Sequence, residues 1–391
     1  MTADTKHKLG RRLRLGMVGG GPGGFIGAVH RIAARLDDRF ELVAAALSSN
    51  PERARAAALD LYIAPERAYG SFAEMAEAEA ARKDRIDVVS IVTPNHLHYP
   101  AAKAFLEAGF HVICDKPLTT TLEDALDLAQ TVRRTGLLFA VTHNYTGHPL
   151  VRQAREIVAN GELGPIRVVQ VEYAQDWLST PLEKTGQKQA LWRTDPALSG
   201  PGGSLGDIGT HAYNLACFVT GLTCQELSAE LSSFVPGRRV DDNVQIMLRF
   251  AEGARGLLWA SQVAPGNQNN LRLRVFGEKA GIEWRQEDPN CLWFAALGKA
   301  PHLIYRAGPA AIPVAAHASR VPSGHPEGYL EAFAQLYADM AEQISARIEG
   351  RAVDPSSLLV PTVEDGVAGM RFISAVVESS RQNSAWTGIA H

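Results

Sequence analysis

From Leu13 to about Val141, short apolar runs alternate with amphipathic stretches, a pattern that predicts a parallel sheet covered by helices. Residues 13–18, 41–47, 86–92, 111–114 and 138–141 read as strands. Between them, residues 26–36, 51–59, 72–81, 100–108 and 122–134 read as helices, with Pro51 and Pro100 at first-turn positions. After Gly147-His148-Pro149 and a helix over 150–159, the texture changes to strands with few helices between them. Residues 166–173, 224–234, 244–250, 256–263, 271–276 and 282–285 fit an open, largely antiparallel sheet. The Ala-Pro-rich stretch 307–321 reads as a surface excursion, and helices over 328–348 and 363–380 close the chain. The expected class is α/β, divided into a frayed start over 1–12, a parallel unit over 13–145 and a second α/β unit over 146–391.

At 391 residues the chain is long enough for two cores. The balance of 39 Lys+Arg against 42 Asp+Glu, formally −3, supplies no field that draws nucleic acid or an anionic membrane, so a small-molecule substrate is expected. The four cysteines show no C-x-x-C pair and no metal-site spacing, which argues for free thiols, a reducing compartment and no bound metal. No apolar run has signal-peptide or membrane-span character, so a cytoplasmic protein is expected.

Gly19, Gly21 and Gly24 follow the first strand and precede a helix, fitting G-x-G-x-x-G in the context where a dinucleotide pyrophosphate meets main-chain N–H groups. The second strand ends in Leu47-Ser48-Ser49-Asn50 with Arg53 nearby, where a ribose-gripping carboxylate is otherwise expected. Ser48, Ser49 and Arg53 therefore tilt the cofactor expectation, NAD or NADP, toward NADP or dual use, while a plainer reading makes Ser48 and Asn50 helix caps. Thr93, Pro94, Asn95 and His98 end the next strand on the ligand-binding edge of an α/β sheet. Lys116 in Cys114-Asp115-Lys116-Pro117 closes the strand after that. Asp207 and His211, four apart, share one face of a helix that starts after the loop Gly200 to Gly203. The pair Asp241-Asp242 reads as a solvated turn rather than a metal site.

With the glycine turn, Thr93-Pro94-Asn95 with His98, Asp115-Lys116-Pro117 and Gly206-Asp207-Ile208-Gly209-Thr210-His211 in this order, the sequence resembles the glucose-fructose oxidoreductase and inositol dehydrogenase family along nearly its whole length. The family's second motif is usually E-K-P, and here Asp115 replaces the glutamate. The glycine turn also looks extended by Phe25-Ile26-Gly27. The resemblance implies an N-terminal Rossmann domain, a C-terminal α/β domain with an open sheet, a nicotinamide cofactor between them, and a homodimer or homotetramer formed through that sheet. It also implies Lys116 beside the reacting oxygen, Asp207 on substrate hydroxyls and His211 as acid/base. Trp192 and Arg193 look like the family segment that reaches the cofactor. Tyr145, Tyr173, Gln175, Asp176, Trp177 and His325 are candidates to line a sugar pocket, each with packing or a turn as the alternative.

Oxidation of a secondary alcohol needs a group that takes its proton as hydride leaves, which an imidazole near neutral pH supplies. The expected activity is hydride transfer between a ring carbinol of a sugar, glycoside or inositol and NAD(P). A reductase is the runner-up among enzymes. A non-catalytic sensor on the same fold is the alternative of another class, against which Lys116, Asp207 and His211 together speak.

Overall fold

The computed structural model describes residues 9–389. In chain order the first elements are β1 (Leu13–Gly19), α1 (Phe25–Leu36), β2 (Phe40–Ala46), α2 (Pro51–Leu59), α3 (Phe72–Ala80), β3 (Val88–Val92), α4 (His98–Glu107), β4 (His111–Cys114), α5 (Leu122–Thr135) and β5 (Phe139–Val141). They are followed by α6 (Pro149–Ala159), β6 (Ile166–Ala174), α7 (Lys188–Arg193), α8 (Pro196–Ser199), α9 (Thr210–Thr220), β7 (Cys224–Ser232), β8 (Asn243–Phe250) and β9 (Arg255–Ser261). The chain closes with β10 (Asn270–Gly277), β11 (Ala280–Arg285), β12 (Cys291–Ala296), β13 (His302–Tyr305), α10 (Pro313–His317), α11 (Tyr329–Glu349), α12 (Val363–Arg381) and β14 (Thr387–Gly388).

The first unit comprises residues up to Asn144 together with Phe333–Val367. Its sheet is parallel, in the order β2-β1-β3-β4-β5. Helices on both faces leave strands such as β3 buried along their whole length, because neither face meets water. The order reverses at β1, so the loops after β1 and β3 lie side by side at the topological switch point, where open α/β sheets bind ligands. Helix α5 shows how local chemistry sets an element's ends: Thr121 accepts the Asp124 N–H at its start, and Gly136 takes a left-handed conformation after its last residue.

Assigning Phe333–Val367 to this unit departs from the expected division, which kept 146–391 together. The reason is a buried polar cluster: the Tyr337 hydroxyl lies 2.8 Å from His30 Nδ1 and 2.8 Å from Ser90 Oγ. The Val141 N–H also donates to Pro361 O. Of the stretch expected to fray, residues 1–8 lie outside the described residues, whereas Arg11 is pinned to Asp87 at 2.6 Å and Arg12 to Asp38.

The second unit, Tyr145–Ala332 with the segment from Ala368 onward, carries a nine-stranded sheet in the order β13-β12-β11-β10-β6-β9-β8-β7-β14. Every neighbouring pair is antiparallel except β6 with β9. Along β8 the side chains alternate, Val244, Ile246 and Leu248 inward and Gln245 and Met247 outward, as a half-covered sheet requires. Helix α9 packs on β6, β9 and β10, and α6 packs on α9. Strands β12, β13 and β14 were absent from the sequence reading. Cys291-Leu292-Trp293-Phe294-Ala295-Ala296 has no polar alternation, and β14 is two residues long. The stretch read as a surface excursion contains α10, and Gln153 Nε2 donates to Ala310 O at 2.7 Å, which ties it to α6.

Candidate active site

In the first unit the site is mostly main chain. Gly19, at the end of β1, has φ +80° and sits against Thr93, so a Cβ there would lie 2.8 Å from Thr93 Cγ2. A Cβ on Gly21 would lie 2.4 Å from Leu47 O. Gly24 is the residue before α1, and its Cβ would meet nothing closer than 3.2 Å. The tight packing of helix on strand falls instead to Gly27, where a Cβ would lie 2.3 Å from the Gly20 Cα, so the third glycine's expected task moves one helical turn onward. Thr93 Oγ1, beside this turn, is buried with no hydrogen-bond partner among the described residues. A side-chain-free cradle at the start of α1 and an unsatisfied hydroxyl beside it fit a dinucleotide.

At the end of β2, Asn50 caps α2 by accepting the Arg53 N–H at 2.9 Å, and Ser48 Oγ accepts the Asn50 N–H at 3.2 Å. Ser49 and Arg53 are exposed there. Pro94 precedes a short turn over Asn95–Leu97, and Asn95 is buried. His98 is not aimed at a ligand: Nδ1 lies 2.8 Å from Pro117 O and Nε2 3.0 Å from Thr93 O. Burial lowers its pKa, so the imidazole is neutral and donates to one of the two carbonyls. It braces the Thr93 loop against the Lys116-Pro117 loop at the sheet edge where the sequence placed it.

Lys116 follows β4 at the carboxyl edge of the sheet. Its N–H donates to Asp115 Oδ1 at 3.0 Å, and Thr142 Oγ1 donates to the same oxygen at 2.7 Å. The shorter carboxylate that replaces the family's glutamate thus ties the ends of β4 and β5 together. His143 lies close enough to Lys116 to feel its charge. Burial first, and that ammonium second, depress the His143 pKa to about 3.

In the second unit the site is made of side chains. The turn Leu205–Gly209 is a π-helix, closed by Thr210 N–H to Leu205 O, and it runs directly into α9. Asp207 therefore sits on a widened turn, a feature common at functional sites, and His211 in the first turn of the regular helix that follows it. Asp207 Oδ2 accepts Arg193 Nε at 3.1 Å and Gln262 Nε2 at 2.8 Å. Arg193 also donates to Gln189 Oε1 at 2.7 Å, with its guanidinium 4.2 Å over the Trp192 ring. Trp192 and Arg193, expected on the cofactor, thus serve Asp207 within this unit.

His211, 7% exposed, packs edge-on against the Tyr145 ring at 4.9 Å. The Tyr145 and Tyr173 hydroxyls share a short hydrogen bond; Tyr173 donates to Asn269 Oδ1 at 2.7 Å, and Asn269 Nδ2 reaches Tyr145 at 3.4 Å. Because the Tyr173 proton goes to a carbonyl oxygen, Tyr145 is the donor in the tyrosine pair, and the ring of bonds is closed. Burial raises both phenol pKa values, which keeps them protonated. Gln175 Nε2 joins at Asn269 Oδ1, 2.7 Å, and its own Oε1 accepts from Trp177 Nε1. Tyr145, Tyr173 and Gln175, expected to line a sugar pocket, form the scaffold behind His211, with their hydrogen-bonding capacity committed to one another. Asp176 accepts the Gly266 N–H. His325 is exposed, its N–H donating to Pro322 O and its carbonyl accepting from Arg306, so the structure does not bring it to this cluster.

Asp241 and Asp242 correct the reading of a solvated turn: they are 7% and 1% exposed. The Asp241 carboxylate accepts Gly203 N–H, Ser204 Oγ–H and Leu205 N–H at 2.6, 2.6 and 2.8 Å. Asp242 accepts Phe234 and Val235 N–H groups and pairs with Arg238 at 3.2 Å. Asn269, Gln262, Asp241 and Gly27 were not singled out as site residues. Only Gly27, adjoining the glycine run, carried a local sequence signal.

Residues 13–143 match the family model described as oxidoreductase family, NAD-binding Rossmann fold, and residues 151–283 match that of the GFO/IDH/MocA C-terminal domain. A crystal structure of an oxidoreductase from Sinorhizobium meliloti shares 54% identity and a TM-score of 0.88, covering 96% of this chain and 99% of that one. An inositol dehydrogenase homolog from Azotobacter vinelandii, crystallised with NAD+, shares 37% identity and a TM-score of 0.92, covering 97% of each chain. The levoglucosan dehydrogenase of Pseudarthrobacter phenanthrenivorans is 31% identical across 71% of this chain and 74% of its own length.

Proposed function

The chain belongs to the GFO/IDH/MocA family of NAD-binding oxidoreductases, and from that premise we propose that it oxidises a ring carbinol of a sugar, glycoside or inositol. The observation that carries the reading is the Asp207–His211 turn, a carboxylate held by Arg193 and Gln262 one turn before a buried imidazole. A bound nicotinamide supplies the hydride acceptor. Gly19, Gly21 and Thr93 would hold the cofactor's phosphate side at the sheet edge. Asp207 orients the ring by accepting from a hydroxyl next to the reacting one. His211 takes the carbinol proton, a contribution of roughly 10²- to 10⁴-fold. Lys116 stabilises the developing alkoxide, at about 3 to 4 kcal/mol by analogy with oxyanion donors. With its proton passed to His211 and its hydride given up to the nicotinamide that these residues would hold, the carbinol would leave as a ketone. Ser48, Ser49 and Arg53, with no carboxylate among them, favour acceptance of NADP beside NAD; the NAD+ bound by the Azotobacter homolog supports the NAD arm.

We also propose that the outward face of the nine-stranded sheet meets a second copy of the chain. Met247 and Leu257 are 48% and 51% exposed at its centre, flanked by the pairs Arg272–Glu172 and Arg272–Glu283, whose mixed charge suits a self-complementary contact.

The test is a panel of inositols, aldoses and glycosides with NAD and NADP in parallel, read by nicotinamide absorbance. Turnover of a polyol, abolished by Lys116→Ala and by His211→Ala while cofactor still binds, is expected. Unchanged turnover in either variant ends the assignment of roles. Light scattering of the purified protein reads the assembly, a monomer at micromolar concentration excluding the proposed contact.

A further inference from the structure

Asp207 hangs on a π-turn that regular helix propensity does not favour, and His211 follows it in the first turn of α9, so something outside the turn must hold its start. Leu205 and Gly206 open the segment without a side-chain cap of their own, and no cap is made by Ser204 within the helix. The first N–H groups are met from another part of the fold. One oxygen of Asp241 accepts Gly203 N–H, and the other accepts both Ser204 Oγ–H and Leu205 N–H. The main-chain oxygen of Asp241 adds a bond from Ser204 N–H at 2.9 Å. Contact is so close that a Cβ on Gly203 would lie 2.0 Å from Asp241 O, which explains a glycine there. From Gly203 the path to the site is a single bond, because the Asp207 N–H donates to Gly203 O at 2.9 Å.

A second arm starts from the neighbouring residue. Asp242 O accepts Gln262 N–H at 2.9 Å, and the Gln262 side chain is the one that donates to Asp207. The Asp241-Asp242 step between β7 and β8 is thus tied to the backbone of Asp207 through one residue and to its carboxylate through the other.

We propose that Asp241 is a positioning residue for the reaction: its carboxylate fixes the start of the π-turn and thereby the placement of Asp207 and His211. The proposal rests on the roles given to those two residues above. It differs from a generic capping role in what it predicts. A cap that only stabilised α9 would change the protein's melting point and leave the chemistry of the folded enzyme alone, whereas a positioning group moves the acid/base residue when altered.

Asp241→Asn keeps the shape but turns an amide NH₂ toward at least one of the three donors, so the turn must shift. Ser204→Ala removes one hydroxyl from the same carboxylate and leaves both main-chain bonds, a variant mild enough to fold if the first does not. In the folded enzyme at a temperature well below melting, kcat is expected to fall about 10²-fold for Asp241→Asn, the scale of a misplaced catalytic group, and about 5-fold for Ser204→Ala. The KM for cofactor should hold. The midpoint of the His211 titration, read by NMR of histidine-labelled protein without substrate, should move by about half a pH unit or more in Asp241→Asn. Because that titration needs no turnover, it judges Asp241 even if no polyol is oxidised, and so separates failure of this proposal from failure of the proposed reaction. An unmoved His211 midpoint in folded variants, or a kcat equal to that of the parent, overturns it.

Discussion

The two units carry candidate site residues of different kinds. In the first they are absent side chains and main-chain groups at strand ends: Gly19, Gly21 and Gly27 leave room for close approach, and His98 pins the loops by their backbone oxygens. In the second they are side chains brought from separate elements: Asp207 and His211 from the π-turn and α9, Arg193 from α7, Gln262 after β9, Tyr173 from β6 and Asn269 before β10. A backbone cradle suits a cofactor whose phosphates are the same in every reaction. A side-chain cluster can be changed one residue at a time, and that is where substrate choice can diverge.

The sharpest way to break this contrast is Gly21→Val, which pushes a side chain into Leu47 O. Calorimetric titration with NAD should show a loss of affinity on the order of 10³-fold, an estimate for strain at a phosphate-binding turn. The His211 NMR signal should stay where it is, and movement there would join what is described here as separate.

Acid should weaken the first unit before the second. Burial lowers the pKa of His30 and His111 to about 4 and of His143 to about 3 in the first unit, against His148, also about 3, in the second. Between the unfolded value of 6.5 and these lower ones, the unfolded chain binds protons that the folded chain refuses, so stability is complete above about pH 6.5 and falls as pH drops toward 4. For His30 the loss reaches roughly 3 kcal/mol. Hydrogen exchange at pH 7 and pH 4.5 should show earlier loss of amide protection in β1 to β5 than in β6 to β11. Equal loss would mean that the histidines are not the cause.

Asn269→Leu leaves the Tyr173 hydroxyl without its acceptor, at a cost of about 1 to 3 kcal/mol. It should lower kcat/KM for the polyol about 10-fold through the packing behind His211 and leave NAD affinity unchanged. The smallest effect expected is from Arg53→Ala, a change of about 3-fold in the ratio of NADP to NAD use, the scale of one exposed charge near a phosphate. No change would remove Arg53 from the cofactor site.

What was legible in the sequence follows the same division. The parallel unit announces itself because short apolar runs alternate with amphipathic stretches, two of which open on a proline, and the glycine turn, Lys116 and the Asp207–His211 spacing are local words of one or two turns. Asn269, Gln262 and Asp241 are single polar residues whose meaning comes from partners far along the chain, and Asp241-Asp242 looked like a solvated turn because two adjacent aspartates give no hint of donors at Gly203 to Leu205. His98 shows a related limit: its position at the sheet edge was legible, and the carbonyls matched to its two nitrogens were not. Strands β12 to β14, at and next to the sheet's edges, escaped because they bury too little to show an alternation.

The most direct measurement is isotope transfer. Ring-deuterated inositols and pyranosides are incubated with the protein and oxidised cofactor, and the reduced cofactor is examined by NMR. One deuterium at C4 of the nicotinamide per ketone formed is the expected result, lost in His211→Ala. Ketone formed with an unlabelled cofactor, or no ketone and no label from any compound, would contradict oxidation of a ring carbinol by this chain.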